Sequence, residues 1–370
     1  MRQGRPGQPR PGSKVTLQDV ADQAGVSLAT ASRVVNEGPR RVGPSLADRV
    51  RAAVAELGYT ANLQARAVAT GQSTMVGVVV HDIADPYFSS IAAGLIEVAD
   101  TRQLLVCMSS TPASEAAERE YVTLMRAQRA RAVILIGSRT DDGAAREALR
   151  AEIQAFTRSG GRAVCIGQDL LGVDTILPEN AAGAEALARA MVALGHRSFA
   201  VLAGPRGLLT ARDRLEGFRA GLAAWSVSLD PTRVIHGAFT RDGGYEAMSA
   251  ILATKGPLPD CVFAVTDVMA LGALARLRAG GLEVPADLAL AGFDDIATLR
   301  DVYPPLTTVR LPLKRMGEMA ANLVLAEASG AIGASETTDV TIPGQHQPRV
   351  IPVPGEVILR DSTVPPPPAL

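Results

Sequence analysis

Residues 16–36 read Thr16-Leu-Gln-Asp-Val-Ala-Asp-Gln-Ala-Gly-Val-Ser-Leu-Ala-Thr-Ala-Ser-Arg-Val-Val-Asn36. Leu17, Val20, Ala21 and Ala24 recur at i, i+3, i+4 and i+7, the spacing that lines one face of a helix. Thr16 stands at the N-cap, with Asp19 three residues on to complete a capping box. Gly25 ends the helix, since a residue without Cβ takes the left-handed turn at little cost. A second helix is expected over residues 28–36, capped by Ser27. Gly43-Pro44 opens a third, because the fixed φ of proline suits the first helical position. Val50, Val54 and Leu57 supply its apolar face, and Gly58 closes it. Two helices joined by a glycine turn and buttressed by a third make a helix-turn-helix, whose second helix fits a major groove.

Charge points the same way. Residues 1–71 hold ten Arg/Lys against five Asp/Glu, whereas the rest of the chain holds 27 against 33. The net charge of −1 therefore conceals a small basic module facing a larger, slightly acidic body, the pattern of a polyanion binder. Residues 1–14, rich in Gly, Pro, Gln and Arg, are expected to be a disordered basic tail. Arg2, Arg5 and Arg10 are followed by no apolar run, so the tail does not read as a signal peptide and a cytoplasmic protein is expected.

The 370 residues, 47% hydrophobic and 20% charged, predict a globular chain of two to three domains. The longest apolar runs, such as residues 75–80, fall far short of the ~20 residues of a membrane span. Cys107, Cys165 and Cys261 each sit in a strand-like apolar run and read as buried thiols. His81, His196, His236 and His346 form no local ligand set with them, so neither a metal nor a cofactor is expected.

From residue 74 the rhythm changes. Val/Ile/Ala-rich runs at 75–80, 104–108, 132–136 and 163–166, then at 199–202, 233–236, 261–265 and 288–292, alternate with helical stretches. Strands without polar alternation, each followed by a helix, predict parallel sheets covered on both faces. Two such series predict two doubly wound α/β lobes, with a ligand site between them at the carboxyl ends of the strands. Residues 331–354 read as an extended loop and 356–359 as a last strand. No G-x-S-x-G, P-loop or G-x-G-x-x-G occurs in a strand–helix context, so the chain is not expected to be an enzyme.

Residues 16–36, continued by Val50-Arg-Ala-Ala-Val-Ala-Glu-Leu-Gly-Tyr-Thr-Ala-Asn62, resemble the DNA-binding headpiece of the lactose-repressor (LacI/GalR) family. The likeness resumes at Asp85-Pro-Tyr-Phe88, Leu194-Gly-His-Arg197, Arg212-Asp-Arg-Leu-Glu-Gly-Phe218, Thr266-Asp-Val-Met-Ala-Leu-Gly272, Gly292-Phe-Asp-Asp295 and Pro304-Pro-Leu-Thr-Thr308, in the family's order. It implies an N-terminal all-α helix-turn-helix headpiece followed by two lobes of periplasmic-binding-protein type. The implied function is transcriptional repression: a homodimer on a pseudo-palindromic, double-stranded operator, controlled by a small-molecule effector, a sugar or sugar derivative. A tetramer stays open, although no C-terminal heptad helix is present to build one. A non-sugar effector is the alternative within the family. A sugar-binding transport protein would use the same lobes, but the basic headpiece argues against it.

On this resemblance the chain divides into the tail (1–14), the headpiece (15–60), a hinge helix and linker (61–73), an effector-binding and dimerisation unit (74–364) and a Pro-rich tail (365–370). Its first lobe is expected to span 75–173 and 311–330, its second 176–308 and 335–364.

The resemblance also implies the site residues. Leu28, Ala29, Ser32 and Arg33 would face the duplex, with Thr16, Leu17, Ser27, Thr30 and Asn36 near phosphates or base edges. Arg33 is the one side chain of its helix able to grip two guanine acceptors at once. Hydroxyls at helix starts suit phosphate oxygens, yet for Thr16 and Ser27 simple capping is the other reading. Asn62 belongs to the implied hinge helix, in which Val68 takes the place of the usual leucine wedge and Ala61 that of the usual proline. An ordinary dimer contact is the other reading of Val68.

In the effector unit, Asp82, Tyr87, Phe88, Ser138 and Gln168 would line the cleft from the first lobe, and Arg214, Phe239, Asp267 and Asp294 from the second. Planar charged forks suit adjacent sugar hydroxyls, and aromatic faces suit a C–H surface. For Asp267 helix capping is the other reading, and for Arg214 and Asp294 a structural ion pair.

Overall fold

A computed structural model of the chain describes residues 15–35, 42–60, 73–325 and 347–363. These fall into two compact units, divided between Ser73 and Thr74.

The first unit contains α1 (Leu17–Ala24), α2 (Leu28–Val35) and α3 (Pro44–Leu57). Val20, Ala21, Ala24, Ala31, Val50 and Ala53 are buried together as its core. Small side chains at this seam let the three short helices approach closely. Gly25 and Gly58, both at φ 60°, end α1 and α3 in the left-handed region. Arg49 of α3 reaches back to the carbonyls of Ala24 and Gly25, neutralising the carboxyl end of α1.

The second unit alternates strands and helices. Its first sheet is built from β1 (Met75–Val80), β2 (Leu105–Ser110), β3 (Ala132–Ile136), β4 (Arg162–Ile166) and β5 (Asp174–Pro178). Between them run α4 (Pro86–Thr101), α5 (Glu115–Ala127) and α6 (Gly143–Arg158). The second lobe follows with α7 (Asn180–Ala193), β6 (Phe199–Leu202), α8 (Leu209–Ala223), β7 (Val234–Ile235), α9 (Arg241–Ala253), β8 (Cys261–Ala264), α10 (Asp267–Ala279) and β9 (Ala289–Ala291). The chain closes with β10 (Thr308–Arg310), α11 (Leu313–Leu325), β11 (Val350–Val353) and β12 (Glu356–Ile358).

The first sheet has the order β11-β5-β4-β3-β1-β2 and the second β7-β6-β8-β9. Every pair within them is parallel, while β10 and β12 form an antiparallel ribbon of their own. The central strands β3, β6 and β8 are buried along their whole length, as strands covered on both faces must be. On the first lobe, α4 and α11 meet at Gly94 and Gly317, where a Cβ would collide with the backbone of the facing helix.

Two expectations need correction. Residues 176–178 and 350–353 belong to the first lobe, because β5 extends the sheet beside β4 and β11 extends it beside β5. The segment 350–353 is therefore a strand, although its Pro352 reads as loop. Proline is tolerated there because β11 is an edge strand, with one side free of ladder bonds. Asp174 fixes the register by accepting from the backbone N–H of Arg349 at 2.8 Å and from its guanidinium at 2.9 Å.

Candidate functional site

In the headpiece, α2 turns Ala31 inward and leaves Leu28, Ala29 and Arg33 exposed, with Thr30 and Ser32 half-buried. Leu28 is 46% exposed, an apolar side chain held out by a helix with little else to hide it. Arg33 is the single cation of this face. Both expected caps are formed. The Thr16 N–H donates to Asp19 Oδ2 at 2.8 Å and the Asp19 N–H to Thr16 Oγ1 at 3.3 Å. Ser27 Oγ accepts from the Thr30 N–H at 3.1 Å, and the two hydroxyls lie 2.9 Å apart. Leu17 leans partly on the headpiece core. Asn36, Asn62 and Val68 lie outside the described residues, as do both tails.

In the second unit, the expected effector residues follow the carboxyl ends of β1, β3, β4, β7, β8 and β9, with Arg214 on α8. Asp82 is exposed and its Oδ1 accepts from the Ala84 N–H at 2.9 Å. Asp85, not singled out from sequence although it stands in the Asp-Pro-Tyr-Phe motif, caps α4 by accepting from the Tyr87 N–H at 2.9 Å. Tyr87 and Phe88 are half-buried and meet edge to face, with centroids 5.0 Å apart. Burial raises the Asp85 carboxyl above its ordinary range, with Asp82 adding to the rise and Arg214 opposing it. Burial likewise raises the Tyr87 phenol, reinforced by the charge of Asp294. Groups of the first lobe thus sit within electrostatic reach of Arg214 and Asp294 on the second.

Those two form a buried, two-pronged ion pair. Arg214 Nη2 donates to Asp294 Oδ1 at 2.8 Å and Nη1 to Oδ2 at 3.3 Å. Nε donates to Asn180 Oδ1 at 2.9 Å, and Nη1 also to the Val265 carbonyl at 2.7 Å. The guanidinium lies 3.8 Å from the centre of the Phe293 ring. Neither Asn180 nor Phe293 was foreseen, since nothing in their spacing ties them to Arg214. Burial pushes Asp294 up to about 7 even against the pull of Arg214.

Asp267 is not the N-cap of α10. Thr266 is, its hydroxyl accepting from the Met269 N–H at 3.4 Å. The Asp267 carboxyl is fully buried instead, taking Thr308 Oγ1 at 2.7 Å and the Ile296 N–H at 2.9 Å. Burial, with Asp294 close by, pushes it up to about 8. Phe239 is half-buried over Gly204.

Ser138 and Gln168 tie the lobes together. Ser138 Oγ accepts from the Thr210 N–H at 3.0 Å and donates to its neighbour's carbonyl. Gln168 Oε1 accepts from the Arg139 N–H at 2.9 Å, while Nε2 donates to Thr210 Oγ1 at 3.0 Å and Asp213 Oδ2 at 3.3 Å. Around them Thr140 bridges Leu208, and the Leu209 N–H donates to the Arg139 carbonyl at 2.9 Å. Thr210 and Asp213 were not foreseen as partners, because the seam exists only when two distant loops meet. Behind it, the buried Arg139 pairs with Glu118, whose Oε1 lies 3.2 Å from His81 Nε2. Burial opposes the charge on Glu118, yet Arg139 and His81 hold it down to about 2.

A small helical module with an exposed second helix, and a two-lobed α/β unit with a buried charged fork in its second lobe, define a DNA-binding regulator with a periplasmic-binding-protein-like sensor. The profile of bacterial regulatory proteins of the lacI family matches residues 16–62, and that of the periplasmic binding protein-like domain matches 188–363. The HTH-type transcriptional regulator CelR of Thermobifida fusca is 32% identical over 329 residues, 88% of this chain and 93% of its own. A solved CelR–cellobiose complex is 28% identical, with a TM-score of 0.66 over 94% of this chain and 99% of that one. The lac repressor dimer bound to operator and the anti-inducer ONPF is 27% identical, with a TM-score of 0.77 over 95% and 100%. The chain belongs to the lacI family of transcriptional regulators. These relatives are regulators, not enzymes.

Proposed function

We propose that the chain is a repressor that binds a pseudo-palindromic operator as a homodimer and is controlled by a sugar or sugar derivative held between its lobes. In this reading α2 lies in the major groove, with Arg33 reading a base and Leu28 and Ala29 making apolar contacts. Ser32 faces the duplex beside them, and Thr16, Leu17, Ser27, Thr30 and Asn36 lie near phosphates or base edges. Residues 61–73, with Asn62 and Val68, form the hinge over the minor groove. The observation that carries the sensor half is the Arg214–Asp294 fork. Tyr87 and Asp267 feel its charges, and in this reading Asp82, Phe88 and Phe239 complete the lining, a polar-and-aromatic mixture suited to a sugar. The cellobiose complex of CelR supports that class.

The test is a mobility shift with DNA from upstream of the protein's own gene, repeated with cellobiose and a panel of sugars. A specific shift altered by one of these sugars is expected. Absence of any specific shift, or a shift indifferent to every sugar, would overturn the corresponding half of the proposal.

A further inference from the structure

We infer that the effector is an uncharged, hydroxyl-rich molecule, and that the cleft rejects sugar phosphates and sugar acids. The inference rests on the sugar reading above and narrows it by charge.

A phosphate or carboxylate effector needs a cation whose charge is not already matched. Arg214 is the cation of the fork, and its charge is matched by both oxygens of Asp294, with Asn180 and Val265 taking two further hydrogen bonds. The neighbouring guanidiniums are matched in charge as well: Arg139 by Glu118, although its buried Nε has no partner among the described residues, and Arg310 and Arg360 both by Asp295. Arg206 and Arg212 are exposed to solvent, where their charge is screened. Residues 326–346, outside the described set, contain neither lysine nor arginine.

The acids, in contrast, outnumber the cation. Asp82 and Asp85 approach from the first lobe, and Asp294 and Asp267 from the second. Burial lifts Asp85, Asp267 and Asp294 towards protonation, and the charges of Asp82 on Asp85, Asp294 on Asp267 and Asp85 on Asp294 add to the rise. A bound anion would drive them further towards protonation, at a cost in binding. A neutral polyol adds no charge: its hydroxyls donate to a carboxyl that stays ionised and accept from one that holds a proton.

The test is calorimetric titration of the full chain with matched probes: glucose, glucose 6-phosphate and glucuronate; ribose and ribose 5-phosphate; cellobiose and cellobionate. In whichever set binds, the neutral member should bind at least about tenfold more tightly, as expected for one added like charge of a sugar acid, or nearly two of a phosphate, at short range. Asp85→Asn keeps the helix cap, since asparagine caps as well as aspartate, and should narrow that ratio severalfold. An anion binding as tightly as its neutral partner overturns the inference alone. An unchanged ratio in Asp85→Asn removes its electrostatic cause. Binding of no probe, neutral or charged, overturns the sugar reading and the inference with it.

Discussion

Arg214 and Asp294, 80 residues apart in the chain, hold each other through two hydrogen bonds while both are almost wholly buried. A buried pair of this kind adds little net stability, because desolvation offsets its attraction, but is costly to break. Arg214→Ala would strand a buried carboxylate, a loss of about 3–5 kcal/mol by thermal or denaturant unfolding. Asp294→Asn keeps an oxygen acceptor for Arg214 and is the cleaner probe. It should retain operator binding in a mobility shift while losing the effector response, because an effector acts only through its differential affinity for two states. Loss of DNA binding in a folded Asp294→Asn protein would favour a purely structural pair.

Glu118→Gln tests the pair behind the seam. With its carboxyl held down to about 2 in the fold, Glu118 adds stability above its ordinary value near 4.5, and that contribution is lost as pH falls towards 2. The variant should unfold about 3 kcal/mol more easily at neutral pH and show a flatter acid limb. Parallel acid limbs for the two proteins would contradict this.

Asp267 has the opposite sign. Its folded carboxyl, raised to about 8, binds a proton that the unfolded chain gives up near 4, so stability falls as pH rises between those values. Asp267→Asn removes the titrating group and retains an acceptor for Ile296. Unfolding midpoints of the variant should lose the decline between pH 6 and 8, which amounts to about 1 kcal/mol per pH unit. Identical pH profiles would place the proton elsewhere.

Thr210→Val deletes the hydroxyl that accepts from Gln168 while preserving shape. One lost interlobe hydrogen bond, about 0.5–1.5 kcal/mol, should change effector affinity severalfold and leave DNA affinity without effector almost unaltered. Titration of both ligands decides it. An unchanged effector affinity would mean that the seam does not take part in ligand control.

Arg33→Ala should cost roughly 1–3 kcal/mol of specific binding and relax base preference at one symmetric pair of operator positions. Footprinting against a randomised operator reads this directly. A uniform loss across all sequences would assign Arg33 to phosphate.

Local signals made most of the architecture legible. The Thr16–Asp19 box, Gly25 and Gly58 are short-range devices, and each helix they bound appears where its spacing puts it. Uninterrupted apolar runs likewise marked β1, β3, β6 and β8. What escaped depends on long-range pairing. Strand β5 is too polar at Asp174 and Thr175, and β11 too rich in proline, to be read except by the neighbours they join. The same holds in the candidate site. Arg214 and Asp294 were legible as a pair of chemistries, but their engagement with Asn180, Val265 and Phe293 was not. Nor was the spending of Ser138 and Gln168 on Thr210 and Asp213.

The path of β11 bears on how the molecule is made. The first lobe begins at β1 but acquires its edge strand only at Val350–Val353, after the whole of α7 to β9 has been synthesised. A ribosome therefore delivers the core strands of the first lobe early and leaves β5 an open sheet edge until near the end of translation. Open edges invite pairing with other chains. The acidic Asp174, which in the finished fold receives Arg349, places a charge on that waiting edge, the kind of residue that discourages edge-to-edge pairing.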